Sequence, residues 1–175
     1  MELLSGKEAA ARIKNLVSER FQVHGVAVEL TVKKIYAMGT NAAVDFGGGD
    51  YVAAARAPVA AFKKFVEDKY QWWELPRGAY AAEFNEQINL AENEVAFLEP
   101  HERLLRVGVT HPTVFLRGPQ EHLETLLMVG TPKVRIKQNA RISRLLVFRL
   151  GKVPHAVPAR PVKVKKAPAK KKRKK

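Results

Sequence analysis

The spacing of apolar residues predicts a helix near the N-terminus of the chain. Between positions 5 and 21 apolar residues recur every three to four positions, among them Ala9 and Ile13, which is the period of one helix face. Ser5 and, three residues later, Glu8 form the signature of a capping box. The pattern therefore predicts a helix over about residues 5–21 that docks one face on the body of the protein.

The rest of the apolar pattern predicts strands. Residues 26–38 are rich in β-branched side chains and alternate in places, which indicates a strand. From residue 74 onward, short apolar runs recur at regular intervals between turn signals such as the segment 75–78, a pattern typical of an all-β barrel or sandwich. Residues 142–150 are the most apolar run, so we expect that strand to be central. The Asn139-Ala140 pair just before it predicts a tight turn.

Two segments between these strands are less regular. The glycines at 47–49 suggest a phosphate-binding loop, but no Gly-Lys-Ser/Thr follows them, so a flexible turn is the favoured interpretation. Residues 53–73 fit either a short helix or an irregular excursion between strands. Their aromatic cluster is expected to lie in the core or at an interface rather than to stack on bases. Its members are Phe62, Phe65, Trp72 and Trp73.

Charge is distributed very unevenly along the chain. Residues 1–124 carry 14 Lys or Arg and 17 Asp or Glu, whereas residues 125–175 carry 17 Lys or Arg and no acid. A basic end on an acidic body is typical of a contact with a polyanion, and a solubilising tail is the alternative. Prolines after residue 150 disfavour helix and central strand. We therefore predict a domain over residues 1–150 and a disordered or extended basic tail over residues 151–175.

Composition excludes several classes of protein. The chain has no cysteine, which rules out disulfides, thiolate catalysis and cysteine-bound zinc. No apolar run reaches the roughly 20 residues that span a membrane, and a signal peptide's apolar centre is missing, so we expect a cytoplasmic protein without a membrane contact. The five histidines, His101 and His111 among them, lack the spacing of metal ligands and are interpreted as ordinary loop residues.

Five stretches together carry a family resemblance. They are GVAVELTV at 25–32, LPRG with FNE at 75–78 and 84–86, PHERLLRVG at 100–108, HPTVFLRG at 111–118, and VRI with ARISRL at 134–136 and 140–145. In order and spacing they resemble the archaeal dUTPase and dCTP deaminase superfamily over about residues 25–150. The resemblance implies a distorted β-barrel or jelly roll, and a homotrimer with sites between subunits. It also implies hydrolysis of a magnesium-bound dUTP by a water that an Asp activates, with a Ser/Arg motif on the phosphates.

The chain departs from this family at the positions that carry the chemistry. Glu29 replaces the first-motif Asp, His101, Glu102 and Arg103 replace the Arg-Ser-Ser, Leu116 replaces the activating Asp, and Pro119 replaces the Tyr. Leu116 cannot accept a proton, and a general base must lie within hydrogen-bond reach of its water. Glu102 would repel an approaching phosphate. The departures therefore predict a dUTPase-like protein that has lost its activity and needs no cofactor.

The basic end then predicts the function: binding to nucleic acid, most plausibly ribosomal RNA beside ribosomal proteins, by phosphate contacts that do not read sequence. The expected contact residues are Arg135, Lys137, Arg141, Arg144, Lys152, Arg160, Lys163, Lys165, Lys166, Lys170, Lys171, Lys172, Arg173, Lys174 and Lys175. One alternative is a divergent dUTP diphosphatase or dCTP deaminase-type enzyme, which would use Mg²⁺, with Glu121 and Glu124 as further candidate acids by position. Another is a DNA-binding architectural protein.

Overall fold

A computed structural model describes residues 1–151 of the 175-residue chain. The helices of this part are α1 (Gly6–Ala10), α2 (Glu19–Gln22) and α3 (Glu102–Arg106). Its strands are β1 (Glu2–Leu3), β2 (Ile13–Lys14), β3 (Val23–His24), β4 (Ala27–Met38), β5 (Arg56–Pro58), β6 (Trp72–Phe84), β7 (Gln87–Asn89), β8 (Glu94–Pro100), β9 (Val109–Thr110), β10 (Val114–Arg117), β11 (Pro119–Gln120), β12 (Glu124–Lys137) and β13 (Arg141–Arg149). None of these helices is long and apolar enough to cross a membrane.

Ten of the described strands form one curled, half-barrel sheet. Its main path runs β10-β8-β13-β4-β6-β12-β9, while β1 pairs with β13, and β3 and β5 pair with β4. A second sheet contains β11, β7 and β2. The predicted mainly β fold class is thereby confirmed. The apolar run predicted to be central is β13, which lies between β8 and β4 in the middle of the path.

The hydrophobic core lies inside the curl of the large sheet. Leu30 of β4, Leu98 of β8 and Leu145 of β13 are completely buried where these neighbouring strands meet. Each such burial contributes about 1.5–3 kcal/mol relative to an exposed side chain. In β12, buried and exposed residues alternate strictly over residues 125–130 and again over residues 133–136, as they do in a strand with one face on the core.

The N-terminal segment differs from the single helix predicted over residues 5–21. Ser5 caps α1 as predicted: its hydroxyl accepts from the Glu8 backbone N–H at 3.3 Å, and the capping box is complete. However, α1 has only five residues, and Ile13 pairs with Ile88 in the small sheet. Asn15 then adopts a left-handed conformation with φ of 64°, which a helix cannot continue. Strand pairing by Ile13 overrides the helical spacing.

The segment predicted as a turn at 75–78 lies inside β6 instead. Pro76 pairs with Lys133 there, and β6 is matched to β12 over most of its length. The register shifts between Val129 and Lys133, as it does at a β-bulge. Because of this bulge the chain continues as one strand, β12, where the apolar pattern of the sequence indicates two short strands.

The segment between β4 and β6 is the irregular excursion that was one of the two predicted alternatives. Its aromatic residues do not form a single cluster in the core. Trp73 is buried as predicted, but Phe65 is 55% exposed. In the glycine-rich turn of this excursion, the Asp45 carboxylate accepts from the backbone N–H groups of Gly49 and Asp50, at 2.9 and 3.1 Å. The turn thus binds a carboxylate of its own chain.

An ion pair holds the N-terminal segment on the sheet. The guanidinium of Arg12 donates to both carboxylate oxygens of Glu94, with an Nη2–Oε1 distance of 2.7 Å. The Glu94 side chain is only 1% exposed. The hydrogen bonds from Arg12 hold the pKa of that carboxyl below its ordinary value, since they favour the charged form.

Replacing Arg12 tests this pair. In Arg12→Met, Glu94 would keep a buried charge without its main partner. We therefore expect the free energy of unfolding to fall by about 3 kcal/mol. Urea denaturation followed by circular dichroism measures the change. Lys133→Met is the matched control, because it breaks an exposed pair with Glu74 and should have a far smaller effect. Equal losses in the two variants would show that the Arg12–Glu94 pair has no special role.

Candidate active site

A buried carboxylate lies at the centre of the candidate site. Glu29 on β4 is 8% exposed, and both of its oxygens are occupied. Oε1 accepts from Nε2 of His101 at 2.9 Å, and Oε2 accepts from Nη1 of Arg141 at 2.7 Å. His24 lies further away, with its Nε2 3.8 Å from Oε1. Glu29 therefore ties β4 to the start of α3 and to the first residue of β13.

His101 connects this carboxylate to the loop that carries the PHERL segment. Its Nδ1 accepts from the backbone N–H of Arg103 at 3.1 Å. Because Nδ1 is an acceptor, the proton of the neutral ring lies on Nε2 and is donated to Glu29. His101 is 2% exposed, so it is a structural anchor of α3 rather than the loop residue that the sequence analysis expected.

The next residues face the solvent. Glu102 has a 57% exposed side chain, and its Oε2 is 3.8 Å from Nη2 of Arg144 on β13. Arg103 and Arg106 are exposed as well, and no carboxylate of residues 1–151 lies within 4.0 Å of either guanidinium. The repulsion predicted for Glu102 is therefore opposed by Arg144 beside it, and α3 carries two further exposed arginines.

The other two positions singled out from the family frame do not join this group of residues. Leu116 is 5% exposed and belongs to the core, so it contributes no chemistry. Pro119 is an exposed residue of β11 and pairs with Asn89 in the small sheet. Glu121 lines a separate cleft with Lys14.

A second buried carboxyl group belongs to the FNE segment. Glu86 is 1% exposed. It accepts from Nε2 of Gln22 at 2.7 Å, from Oγ1 of Thr31 at 2.6 Å and from the backbone N–H of Thr31 at 2.9 Å. Burial nevertheless raises the pKa of this carboxyl above its ordinary value. Glu86 thus packs α2 against the middle of β4.

Ser143 and His111 form a buried pair that the sequence analysis missed. Ser143 Oγ lies 2.7 Å from His111 Nε2, and His111 Nδ1 lies 2.8 Å from the carbonyl oxygen of Pro112. Burial lowers the pKa of His111, which favours the neutral ring. Both residues are inaccessible, so the pair fastens the loop after β9 to β13 and is not a nucleophile. Nothing in the spacing of a single serine and histidine 32 residues apart predicts their contact.

The strand arginines expected to form a cationic face are each paired with a carboxylate. Arg135 pairs with Glu74, and Arg141 pairs with Glu29. Arg144 faces Glu102, as described above. Of the predicted nucleic-acid contacts on the strands, Lys137 lies over the ring of Trp72 instead, at 5.2 Å from its centroid. The remaining predicted contacts, from Lys152 to Lys175, lie outside the described residues.

No group of three or more potential metal-ligating side chains occurs in the described part of the chain.

Comparisons with known proteins identify the family. A protein of Methanosarcina mazei named probable deoxyuridine 5'-triphosphate nucleotidohydrolase is 34% identical over 160 residues, covering 86% of this chain and 90% of that protein. The chain belongs to the dUTPase family. A Methanocaldococcus jannaschii protein named deoxyuridine 5'-triphosphate nucleotidohydrolase is 29% identical over 133 residues, covering 75% of this chain and 80% of that protein. No protein-family model matches the chain.

One solved structure shows that the fold is shared more widely. The 2'-deoxycytidine 5'-triphosphate deaminase from Agrobacterium tumefaciens superposes with a TM-score of 0.62 at 14% identity, covering 86% of this chain and 48% of that one. A dUTPase mutant from phage phi11 of S. aureus, in which the coordination of a structural Mg(II) ion was described, has a TM-score of 0.43 at 8% identity, covering 59% of this chain and 90% of that one.

Membership of the dUTPase family corrects three predictions. These are the non-catalytic function, the assignment as a pseudoenzyme and the ribosomal RNA partner. All three conflict with the relatives, which are named as dUTP nucleotidohydrolases and match this chain along most of their length. Part of the physical reason is visible in the site: among the cations expected to bind a polyanion, Arg135, Arg141 and Arg144 each face a carboxylate. A homotrimer is compatible with the family.

The buried Glu86 gives a prediction about pH. Since burial raises its pKa in the folded protein, the unfolded chain loses this proton first, near the ordinary value of 4.5. The contribution of Glu86 to stability is therefore complete below pH 4.5 and is lost as pH rises through the raised pKa. The difference in unfolding free energy between wild type and Glu86→Gln, measured by urea denaturation from pH 4 to 8, should fall with increasing pH. A difference that rises with pH would contradict the raised pKa.

Proposed function

We propose that the protein hydrolyses dUTP to dUMP and pyrophosphate. In this reaction the oxygen of a water molecule bonds to the α-phosphorus, the bond to the oxygen bridging the α- and β-phosphates breaks, and pyrophosphate leaves. The observation that carries the proposal is the 34% identity to a relative named as a probable dUTP nucleotidohydrolase over 90% of that relative.

The cations around α3 support a contact with the triphosphate. Arg103 and Arg106 are exposed residues of α3, and Arg144 is a partly exposed residue of β13 beside it. Arginine binds phosphate oxygens through two parallel hydrogen bonds. Glu102 would exchange its contact with Arg144 for one with the bound water or its magnesium shell.

Two carboxylates of this region are candidates for the group that activates the water. Both oxygens of Glu29 already accept charge-assisted or neutral hydrogen bonds at 2.7–2.9 Å, and its side chain is only 11% exposed. Glu102 is 57% exposed, and its nearest cation is 3.8 Å away. A base must be accessible to its water and lie within hydrogen-bond reach of it. We therefore assign this role to Glu102 and a positioning role to Glu29.

In this proposal the Mg²⁺ ion binds together with the substrate. Mg²⁺ is commonly held by substrate phosphates, several waters and one or two carboxylates rather than by an all-protein cage. Since residues 1–151 contain no such cage, the ion would be bound chiefly by the triphosphate. Its chemistry would be to neutralise the developing negative charge on the phosphate oxygens. The chain itself would supply the arginines and the Glu102 carboxylate.

A turnover assay tests the proposal. Purified protein with dUTP and Mg²⁺ should release dUMP and pyrophosphate, measured by ion-exchange chromatography. Glu102→Gln removes the proposed base while keeping the size of the side chain, so kcat should fall by about a hundredfold or more. Glu92→Gln, an exposed acid in the turn before β8, is the matched control and should leave kcat unchanged.

Two outcomes would count against this proposal. Absence of dUMP formation by the wild-type protein in the presence of Mg²⁺ would refute the activity itself. Full activity of Glu102→Gln would leave the activity in place but would show that another group activates the water.

A further inference from the structure

A cleft that Arg141 helps to line is not used by the proposed hydrolysis. It has a volume of about 510 Å³ and lies between α2, the turn from β12 to β13, and the end of the excursion before β6. Its walls include Phe21, Tyr70, Lys137, Gln138 and Arg141. This volume lies within the range of about 300–1,000 Å³ that is typical of small-molecule sites. Neither Glu102 nor any other residue of α3 lines it.

Charge in this cleft favours an anion. The lining residues include two cations, Lys137 and Arg141, and no Asp or Glu. One nitrogen of Arg141 is engaged with Glu29 and with the carbonyl oxygen of Phe21. Lys137 has no carboxylate within 4.0 Å in residues 1–151, and its Nζ rests over Trp72. Of the two cleft cations, Lys137 is therefore the one without a carboxylate partner in the described residues, and a ligand phosphate would compete with its contact with Trp72.

The remaining walls favour a planar, polar ring. Phe21 is 58% exposed although it is a large apolar side chain, and Tyr70 lines the same cleft. Aromatic faces of this kind bind nucleobases by stacking. The side-chain amide of Gln138 has no hydrogen-bond partner within the described residues. That amide offers one donor and one acceptor to the edge of a base.

We propose that this cleft binds a nucleotide, with its base on the aromatic wall and its phosphate on Lys137. The aromatic face and the unpaired amide match a base, and the cation without acidic neighbours matches a phosphate. The inference does not depend on the proposed hydrolysis, since the two sites share no residue that performs the reaction. A nucleotide bound here would contact α2, which Glu86 packs on β4 through Gln22.

Calorimetric titration of the full-length protein tests the site. AMP serves as the probe, with adenosine and inorganic phosphate titrated separately. AMP should bind, whereas the nucleoside or the phosphate alone should bind more weakly because each makes only part of the contacts. Lys137→Gln and Phe21→Ala should each raise the Kd for AMP by about tenfold, the effect of removing one ion pair or one stacking surface. Higher salt should weaken binding further in the wild type than in Lys137→Gln.

Lys133→Gln is the matched control, because Lys133 is an exposed lysine of the same strand that does not line the cleft. Its Kd for AMP should equal that of the wild type. The inference is overturned if AMP gives no heat at millimolar concentration, or if neither Lys137→Gln nor Phe21→Ala changes its Kd. Glu102→Gln separates the two proposals, since it should lose dUTP turnover and keep AMP binding. An inactive wild type that still binds AMP through Lys137 would refute the hydrolysis alone.

Discussion

The contact between Glu29, His101 and Arg141 is the constraint on which the candidate site depends. A carboxylate buried to this degree is tolerated only when its charge is paired and its lone pairs accept hydrogen bonds. Here the two partners come from different parts of the chain, 72 and 112 residues away from Glu29. Satisfying one buried charge thus fixes where α3 begins and where β13 enters the sheet. This contact therefore also positions the solvent-facing residues of α3.

The same principle applies to the other buried acids, with different outcomes for their protonation. Glu94 meets an arginine, and the pKa of its carboxyl is lowered. Glu86 meets neutral donors, and burial raises its pKa. A cation compensates the lost hydration of a carboxylate more fully than amide and hydroxyl groups do. Two acids that look alike in the sequence therefore respond to pH in opposite directions, because of the partners that the fold brings to them.

Much of the fold could be predicted from the sequence, since strand existence and the central position of β13 follow from apolar runs. Pairings between residues that are far apart in the sequence could not be predicted. Ile13 forms a strand because Ile88 lies beside it, and segment 75–78 stays extended because β12 covers it. Likewise, Arg135 reads as a free cation until the register of β12 and β6 places Glu74 opposite it. A sequence pattern indicates the conformation that a residue favours by itself. In these cases its pairing partner in the fold decides the outcome instead.

The candidate site shows why replaced residues alone did not decide the function. At about 4 Å and an effective dielectric constant near 20, one carboxylate repels a phosphate charge by about 4 kcal/mol. A guanidinium at a similar distance attracts that phosphate by about as much, and Glu102 has Arg144 at 3.8 Å with two further exposed arginines on its own helix. The summed charge of these four side chains is positive. Glu102, an acid in the place of the family's serine, therefore leaves the region attractive to a triphosphate. Glu102 also supplies a carboxylate, which the buried Leu116 cannot.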